Sequence, residues 1–252
     1  MEMQNTPVLV TGGASGLGEA TVRRLAAAGA RVTILDVQRE RAEQIAAEVG
    51  GLAIHCDVTD PQSAAEAIAQ ARSAHGTARV LINCAGGGAA RRTVGRDGPM
   101  PLDDFVKVLN LNLVGAFNMT RLAAAAMMAE PPLNGERGLV LFTTSVAAYE
   151  GQIGQAAYAA SKGGLVALTL QLAREFAAQA VRVMAIAPGI FETPLLASAT
   201  PEVQRSLAAG IPFPARLGQP QEFADLVVGI MSNAYLNGEV IRLDGAVRLG
   251  PR

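Results

Sequence analysis

Thr11-Gly12-Gly13-Ala14-Ser15-Gly16-Leu17-Gly18 links a short apolar run at 7–12 to a stretch with apolar residues at helical spacing that ends at Gly29. A strand that turns through three spaced glycines into a helix is a place where an anion can approach the backbone. Glycine permits the sharp turn, and the free N–H groups of the helix start favour the negative charge of a pyrophosphate. Gly12, Ser15, Gly16, Leu17 and Gly18 are therefore candidate cofactor contacts. The spacing is G-x-x-x-G-x-G, which differs from the commoner G-x-G-x-x-G dinucleotide fingerprint.

Working outward, the next apolar run, 31–36, ends on Asp36, 18 residues beyond Gly18. A carboxylate there can accept hydrogen bonds from an adenosine ribose and repels a 2′-phosphate. NAD is thus favoured over NADP, although Arg39 nearby leaves a competing charge. The remaining chain repeats the alternation. Strands are expected at 51–56, 79–84, 139–144, 181–187 and 239–243. Helices are expected at 40–49, from Pro61, as one long element at 102–129, at 155–179, and at 223–232 opened by Pro220. Pro61 stands at the favoured first helical position. Such alternation predicts βαβ crossovers: an α/β fold of Rossmann type, a doubly wound parallel sheet with helices on both faces. With no repeat or linker, residues 1–252 read as a single domain.

Composition supports a core of that size and excludes several functions. Half of the 252 residues are hydrophobic and 17% are charged, with a net charge of −1. The absence of any basic run argues against nucleic acid as a partner. No apolar stretch approaches the ~18 residues of a membrane span. The first residues reach a strand-like run at once, so neither a signal nor a transit peptide is expected. Cys56 and Cys84 lack metal spacing and suggest no disulfide framework, so no metal is expected and the compartment reads as reducing and cytoplasmic.

A second motif carries the chemistry. Of 21 basic residues only Lys107 and Lys162 are lysine, and tyrosine occurs only at 149, 158 and 235. Yet Tyr158-Ala159-Ala160-Ser161-Lys162 places a phenol and an ammonium one helical turn apart on one face. Bringing a phenol from about 10 to roughly 7 needs about 4 kcal/mol of differential stabilisation. A desolvated lysine together with a positive nicotinamide could supply it. Tyr158 then acts as general base in alcohol oxidation and as general acid in ketone reduction. Ser145, 13 residues earlier, ends the fifth expected strand, at the carboxyl edge where parallel sheets bind ligands. The same edge collects Asn83, Ala85 and Gly86 after the fourth strand and Pro188, Gly189 and Ile190 after the sixth. Asn112 lies inside the long helix, where an inward polar side chain needs a partner. Gly163 and Gly164 each cost about 1 kcal/mol in a helix interior, which points to close approach of a helix or the cofactor.

Together these residues resemble the short-chain dehydrogenase/reductase family along almost the whole chain. T-G-x-x-x-G-x-G, N-x-A-G, the helix asparagine, S-(12)-Y-x-x-x-K and P-G follow in the family's order. The resemblance implies a catalytic set of Asn112, Ser145, Tyr158 and Lys162, with Asn112 anchoring a water that relays protons from Lys162. It further implies adenine contacts from Asp57 and Val58, a carboxamide contact from Thr193, seven strands and a homotetramer. The segments Ser145–Tyr158, Pro212–Gly218 and Leu236–Gly245 are similar to the type II 3-hydroxyacyl-CoA dehydrogenase subgroup, which includes 17β-hydroxysteroid dehydrogenase-like members. This implies NAD-dependent oxidation of an L-3-hydroxyacyl-CoA to the 3-ketoacyl-CoA. Segment 190–217 then forms a substrate lid, with Leu195, Leu196 and Phe213 as apolar lining and Gln155 beside Ser145 and Tyr158, although core packing accounts for such residues equally well. The insert 87–101 carries Arg91, Arg92 and Arg96, which either meet a CoA phosphate or are simply solvated. Other readings are a dehydrogenase of a steroid or cyclic alcohol, a reductase of acyl-carrier ketones preferring NADPH, which Asp36 disfavours, and a non-enzymatic NAD-binding scaffold, which the intact Tyr158 and Lys162 disfavour.

Overall fold

The computed structural model describes residues 1–251 apart from 89, 198 and 199, and the side chains of 195, 197, 201, 203 and 204 lie outside the described set. The strands are β1 (Pro7–Thr11), β2 (Arg31–Asp36), β3 (Leu52–His55), β4 (Val80–Asn83), a small hairpin β5 (Val94–Gly95) and β6 (Gly98–Pro99), β7 (Gly138–Thr143), β8 (Val181–Pro188) and β9 (Val240–Leu243). The helices are α1 (Gly16–Ala27), α2 (Arg39–Val49), α3 (Pro61–His75), α4 (Leu102–Leu109), α5 (Gly115–Met128), α6 (Ala156–Phe176), α7 (Pro194–Ala197), α8 (Pro201–Ala209) and α9 (Pro220–Ser232). Seven strands form one sheet in the order β3-β2-β1-β4-β7-β8-β9, and every neighbouring pair is parallel. The chain leaves β1 towards β2 and β3, then returns to place β4 on the other side of β1. That reversal opens a crevice above the carboxyl ends of β1 and β4.

Helices cover both faces, so the central strands are buried on both sides and read as continuous apolar runs. On one face Leu9, Leu81, Val140 and Val183 pack with Ala67 of α3, Met119 of α5 and Leu172 of α6. On the other, Val8, Val10, Ile82 and Met184 pack with Val22 of α1, Ile45 of α2 and Phe223 of α9. The starts of these helices are set locally. Pro61 occupies the first turn of α3 while the Asp60 carboxylate accepts the Gln62 N–H at 2.9 Å.

The expected helix over 102–129 is interrupted. A π-helical turn, Asn110–Val114, separates α4 from α5. A single widened turn inside a run of helix-compatible residues leaves no break in the sequence pattern. The turn packs against α6, and this explains Gly164: a Cβ there would lie 2.7 Å from Leu113 Cδ2. Gly163 differs from expectation, because a Cβ there would meet nothing within 4 Å.

A buried arginine ties the C-terminal edge together. Arg182 of β8 donates to the carbonyls of Ile230, Met231, Asn233 and Leu236, capping α9, and pairs with the Glu136 carboxylate. The N-terminal ammonium joins through Met231 O at 2.8 Å and Glu136 at 3.3 Å. Among the described residues, no helix is long and apolar enough to cross a membrane.

Candidate active site

The crevice above β1 and β4 deepens into a cavity of about 730 Å³. Its floor is the glycine loop. Gly12 adopts φ +63°, and a Cβ there would sit 2.7 Å from Ala85 N. At Gly18 a Cβ would sit 2.1 Å from Gly12 O, so the turn closes only on a bare backbone. The loop is held from two sides. Asp36, at the end of β2, accepts the Ala14 N–H through Oδ2 and the Gln38 N–H through Oδ1, both at 2.9 Å. Thr11 Oγ1 accepts the Ala85 N–H at 3.1 Å and joins β1 to β4. Ser15, Leu17, Asp36, Asp57, Val58, Ala85, Gly86, Pro188, Gly189, Ile190 and Thr193 all line the cavity. Asp57 shapes its own turn by accepting the Thr59 N–H at 2.9 Å and the Thr59 hydroxyl at 2.7 Å. Arg39 is turned to Glu43 at 2.8 Å and does not line this cavity. This backbone cradle, with a carboxylate at the far strand end, fits a dinucleotide.

The reacting wall is built by β7 and α6. Ser145 follows β7, and its Oγ accepts the Ala147 N–H at 3.1 Å, which aims the hydroxyl at the cavity mouth. Tyr158, in the first turn of α6, lines the same wall as Ser145. One turn later Lys162 is buried, with Nζ donating to Thr143 O at 2.7 Å and standing 5.6 Å from the centre of the Tyr158 ring. Thr144 Oγ1 donates to Lys162 O at 2.8 Å and locks the helix against the strand. Burial lowers the Lys162 ammonium to about 8. Burial also pushes the Tyr158 phenol up, while the Ser145 hydroxyl pulls the other way. The protein's own groups therefore do not lower the phenol as expected, since desolvation of the ring outweighs them. The Cys84 thiol on the same wall is pushed up to about 11 by burial, which leaves it protonated and inert.

Asn112 stands behind the wall rather than on it. Its Oδ1 accepts the Gly87 N–H at 3.1 Å, and its Nδ2 donates to Gly87 O at 2.6 Å and Val108 O at 3.0 Å. Both amide protons are thus committed to backbone, and the side chain braces the strand-four exit. Gly86 lies between the two polar groups: a Cβ there would be 2.6 Å from Asn112 Oδ1 and 3.4 Å from Lys162 Nζ. Asn83 is also off the cavity, buried at the end of β4 and donating to Thr120 Oγ1 at 3.4 Å.

On the side away from the glycine loop, Gln155 and Leu196 line the cavity, but Phe213 does not. Phe213 is 82% exposed, because its N–H is tied to Gly245 O at 3.2 Å and the ring faces outward. The Leu195 side chain is outside the described residues. The apolar wall comes instead from Phe191, Leu207 and Leu249 beside Leu196. Sequence patterning gave no sign of Leu249, which lies beyond the last strand. The ends of segment 190–217 are clipped together, with Gly218 N donating to Ile190 O at 2.9 Å and Glu192 N to Gly218 O at 2.8 Å.

A family model described as short chain dehydrogenase matches residues 6–204. The chain belongs to the short-chain dehydrogenase family. It is accordingly an oxidoreductase that uses a nicotinamide cofactor and acts on a small molecule. Among its relatives, the 3-hydroxyacyl-CoA dehydrogenase type-2 of Bos taurus is 48% identical over 248 residues, covering 96% of this chain and 95% of that one. The protein of the same name from Drosophila melanogaster is 46% identical over 254 residues, covering 99% and 100%. A crystal structure of 3-hydroxyacyl-CoA dehydrogenase type-2 from Mycobacterium avium superposes with a TM-score of 0.94 at 45% identity, covering 98% of this chain and 97% of that one.

Proposed function

We propose that this short-chain dehydrogenase interconverts L-3-hydroxyacyl-CoA and 3-ketoacyl-CoA with NAD(H). The observation that carries the reading is the convergence of Ser145, Tyr158 and Lys162 on the wall of one cavity whose floor is the glycine cradle. The acyl-CoA class comes from the names of relatives that match nearly the full chain, and the apolar wall suits a chain attached to the reacting carbon. NAD rather than NADP follows from Asp36 at the ribose end and from Arg39 being engaged by Glu43.

Ser145 Oγ holds the carbinol oxygen, and Tyr158 takes its proton during oxidation and returns it during reduction. When bound, NAD would supply the hydride acceptor and the positive charge of its oxidised nicotinamide. Lys162, fixed by Thr143 O, presents a buried cation to the ribose side and to the phenol, while Asn112 keeps Gly86 and Gly87 in place beneath it. Segment 190–217 serves as the substrate lid, with Ile190 and Thr193 on the cofactor side and Leu196 on the acyl side. The homotetramer and cytoplasmic residence belong to the same reading.

Steady-state kinetics on short to long 3-ketoacyl-CoAs, with NADH and NADPH compared, tests the assignment. Turnover with NADH preferred is expected. No activity on any acyl-CoA, with activity on a steroid or cyclic ketone, would overturn the substrate class.

A further inference from the structure

We propose that Leu249 closes the apolar side of the substrate cavity and that Glu150 is the positioning residue that holds it there. The C-terminal segment thereby sets the length and bulk of the chain accepted. The identity of the chain as acyl rests on the reading above; the placement of the wall does not.

Leu249 lies six residues beyond the end of β9, where a tail would ordinarily be loose. It is instead half-buried on the cavity, packed in a small cluster with Ile211, Leu217 and Val247 and with Ile190, Leu196 and Leu207 of the lid. Two sets of contacts put it there. Glu150, in the loop between Ser145 and Tyr158, accepts the Leu249 N–H through Oε2 at 3.0 Å and Arg242 Nη1 through Oε1 at 2.7 Å. Arg242 lies over the Tyr149 ring at 5.3 Å and donates to Val247 O at 3.1 Å and to Asp244 Oδ2 at 2.8 Å. Further along, Ile153 N donates to Pro251 O at 2.9 Å and Gln152 Nε2 to Gly250 O at 3.3 Å.

The loop that carries Ser145 at one end and Tyr158 at the other is therefore the loop to which the tail is fastened. The Glu150 carboxylate thus ties the segment that carries the apolar wall directly to the reacting loop, beside the packing of the Leu249 cluster. Both Glu150 oxygens are committed to partners, so it transfers no proton. Its action runs through Leu249.

The test uses the full chain with NADH on a series of 3-ketoacyl-CoAs of increasing length, and in parallel on simple methyl ketones of increasing length. Each methylene that gains burial is worth about fourfold in kcat/KM. Leu249→Ala makes room for about two, so the long-to-short ratio should rise roughly fifteenfold, and Leu249→Phe should lower it. Glu150→Ala should move the ratio in the same direction as Leu249→Ala, with the double variant no further shifted than the larger single change. Glu150→Gln, which keeps an acceptor for the Leu249 N–H, should recover part of the wild-type ratio. An unchanged ratio in Leu249→Ala and Leu249→Phe overturns the wall. Equal losses at every length in Glu150→Ala overturn the positioning role. If Leu249→Ala does not fold, Leu249→Phe decides alone, since it adds atoms rather than removing them. Wild-type turnover of methyl ketones without any of acyl-CoAs defeats the acyl-CoA reading, and the ratio test then runs on the ketones. Calorimetric binding of the same series to NADH-loaded protein supplies the ratio where turnover is lacking.

Discussion

At the scale of single residues, the site joins a buried lysine and a half-buried tyrosine whose ionisation is shifted by the same cause, desolvation. Removing the hydroxyl of Tyr158 removes the proton donor and acceptor but little volume. Tyr158→Phe should lower turnover by about 10²–10⁴, the usual worth of a positioned acid–base group, while NADH titration by fluorescence still saturates. Lys162 makes a prediction about stability. Its folded value is about 8 against an ordinary 10.5, so over that interval the unfolded chain binds more protons than the folded one. Unfolding free energy must then rise with pH between those values and be flat below them as far as this group is concerned. The rise amounts to roughly 3 kcal/mol at 1.36 kcal/mol per unit. Denaturant titrations of the cofactor-free protein from pH 7 to about 9.5, short of the ordinary tyrosine value, should show this slope, and Lys162→Met should lack it. A slope that is the same in both proteins would show that the ammonium is not desolvated.

Among the elements, the glycine loop is the least tolerant. The atom that a Gly18 Cβ would strike at 2.1 Å is the Gly12 carbonyl, which cannot rotate away as a side chain would. Gly18→Ala should therefore distort the turn, cost roughly 1–3 kcal/mol in chemical denaturation, and weaken NADH binding at least tenfold. Most elements were legible because each has a local cause. β2 is found at 31–36 as expected because four consecutive apolar or β-branched positions, Val32 to Leu35, are bounded by Arg31 and Asp36. α3 begins at Pro61 and α9 at Pro220 because each proline fits only a first turn. What stayed hidden lacked a local cause. The π-turn at Asn110–Val114 is one turn inside a run of helix-compatible residues, the two-residue strands of the 94–99 hairpin are too short to alternate, and the lid helices α7 and α8 span only four and nine residues. For the site, the loop and the Tyr158–Lys162 pair were readable because spacing along one strand end or helix face fixes them. Phe213 and Leu249 were not, because each is placed by backbone bonds to distant segments, Gly245 in one case and Glu150 in the other.

Across the whole molecule, Arg182 joins β8, the end of α9 and the Glu136 turn, to which the N-terminal ammonium is also tied. Truncating one member of a buried ion pair strands its partner and the carbonyls it caps. Arg182→Met should lose about 3–5 kcal/mol in denaturant unfolding, with cofactor affinity of the remaining folded protein unaltered because the site is at the opposite strand ends. A loss below about 1 kcal/mol would show that water replaces the guanidinium without cost. The sheet order bears on how the protein is made. No two neighbouring strands of the large sheet are joined by a hairpin, and β1 must accept β4 after a detour through β2 and β3. A nascent chain that has emerged only through β4 can pair four strands, yet the outer edge of β4 stays open until β7 arrives more than fifty residues later. During that interval synthesis exposes an apolar parallel edge, the kind of surface that recruits other chains or a chaperone.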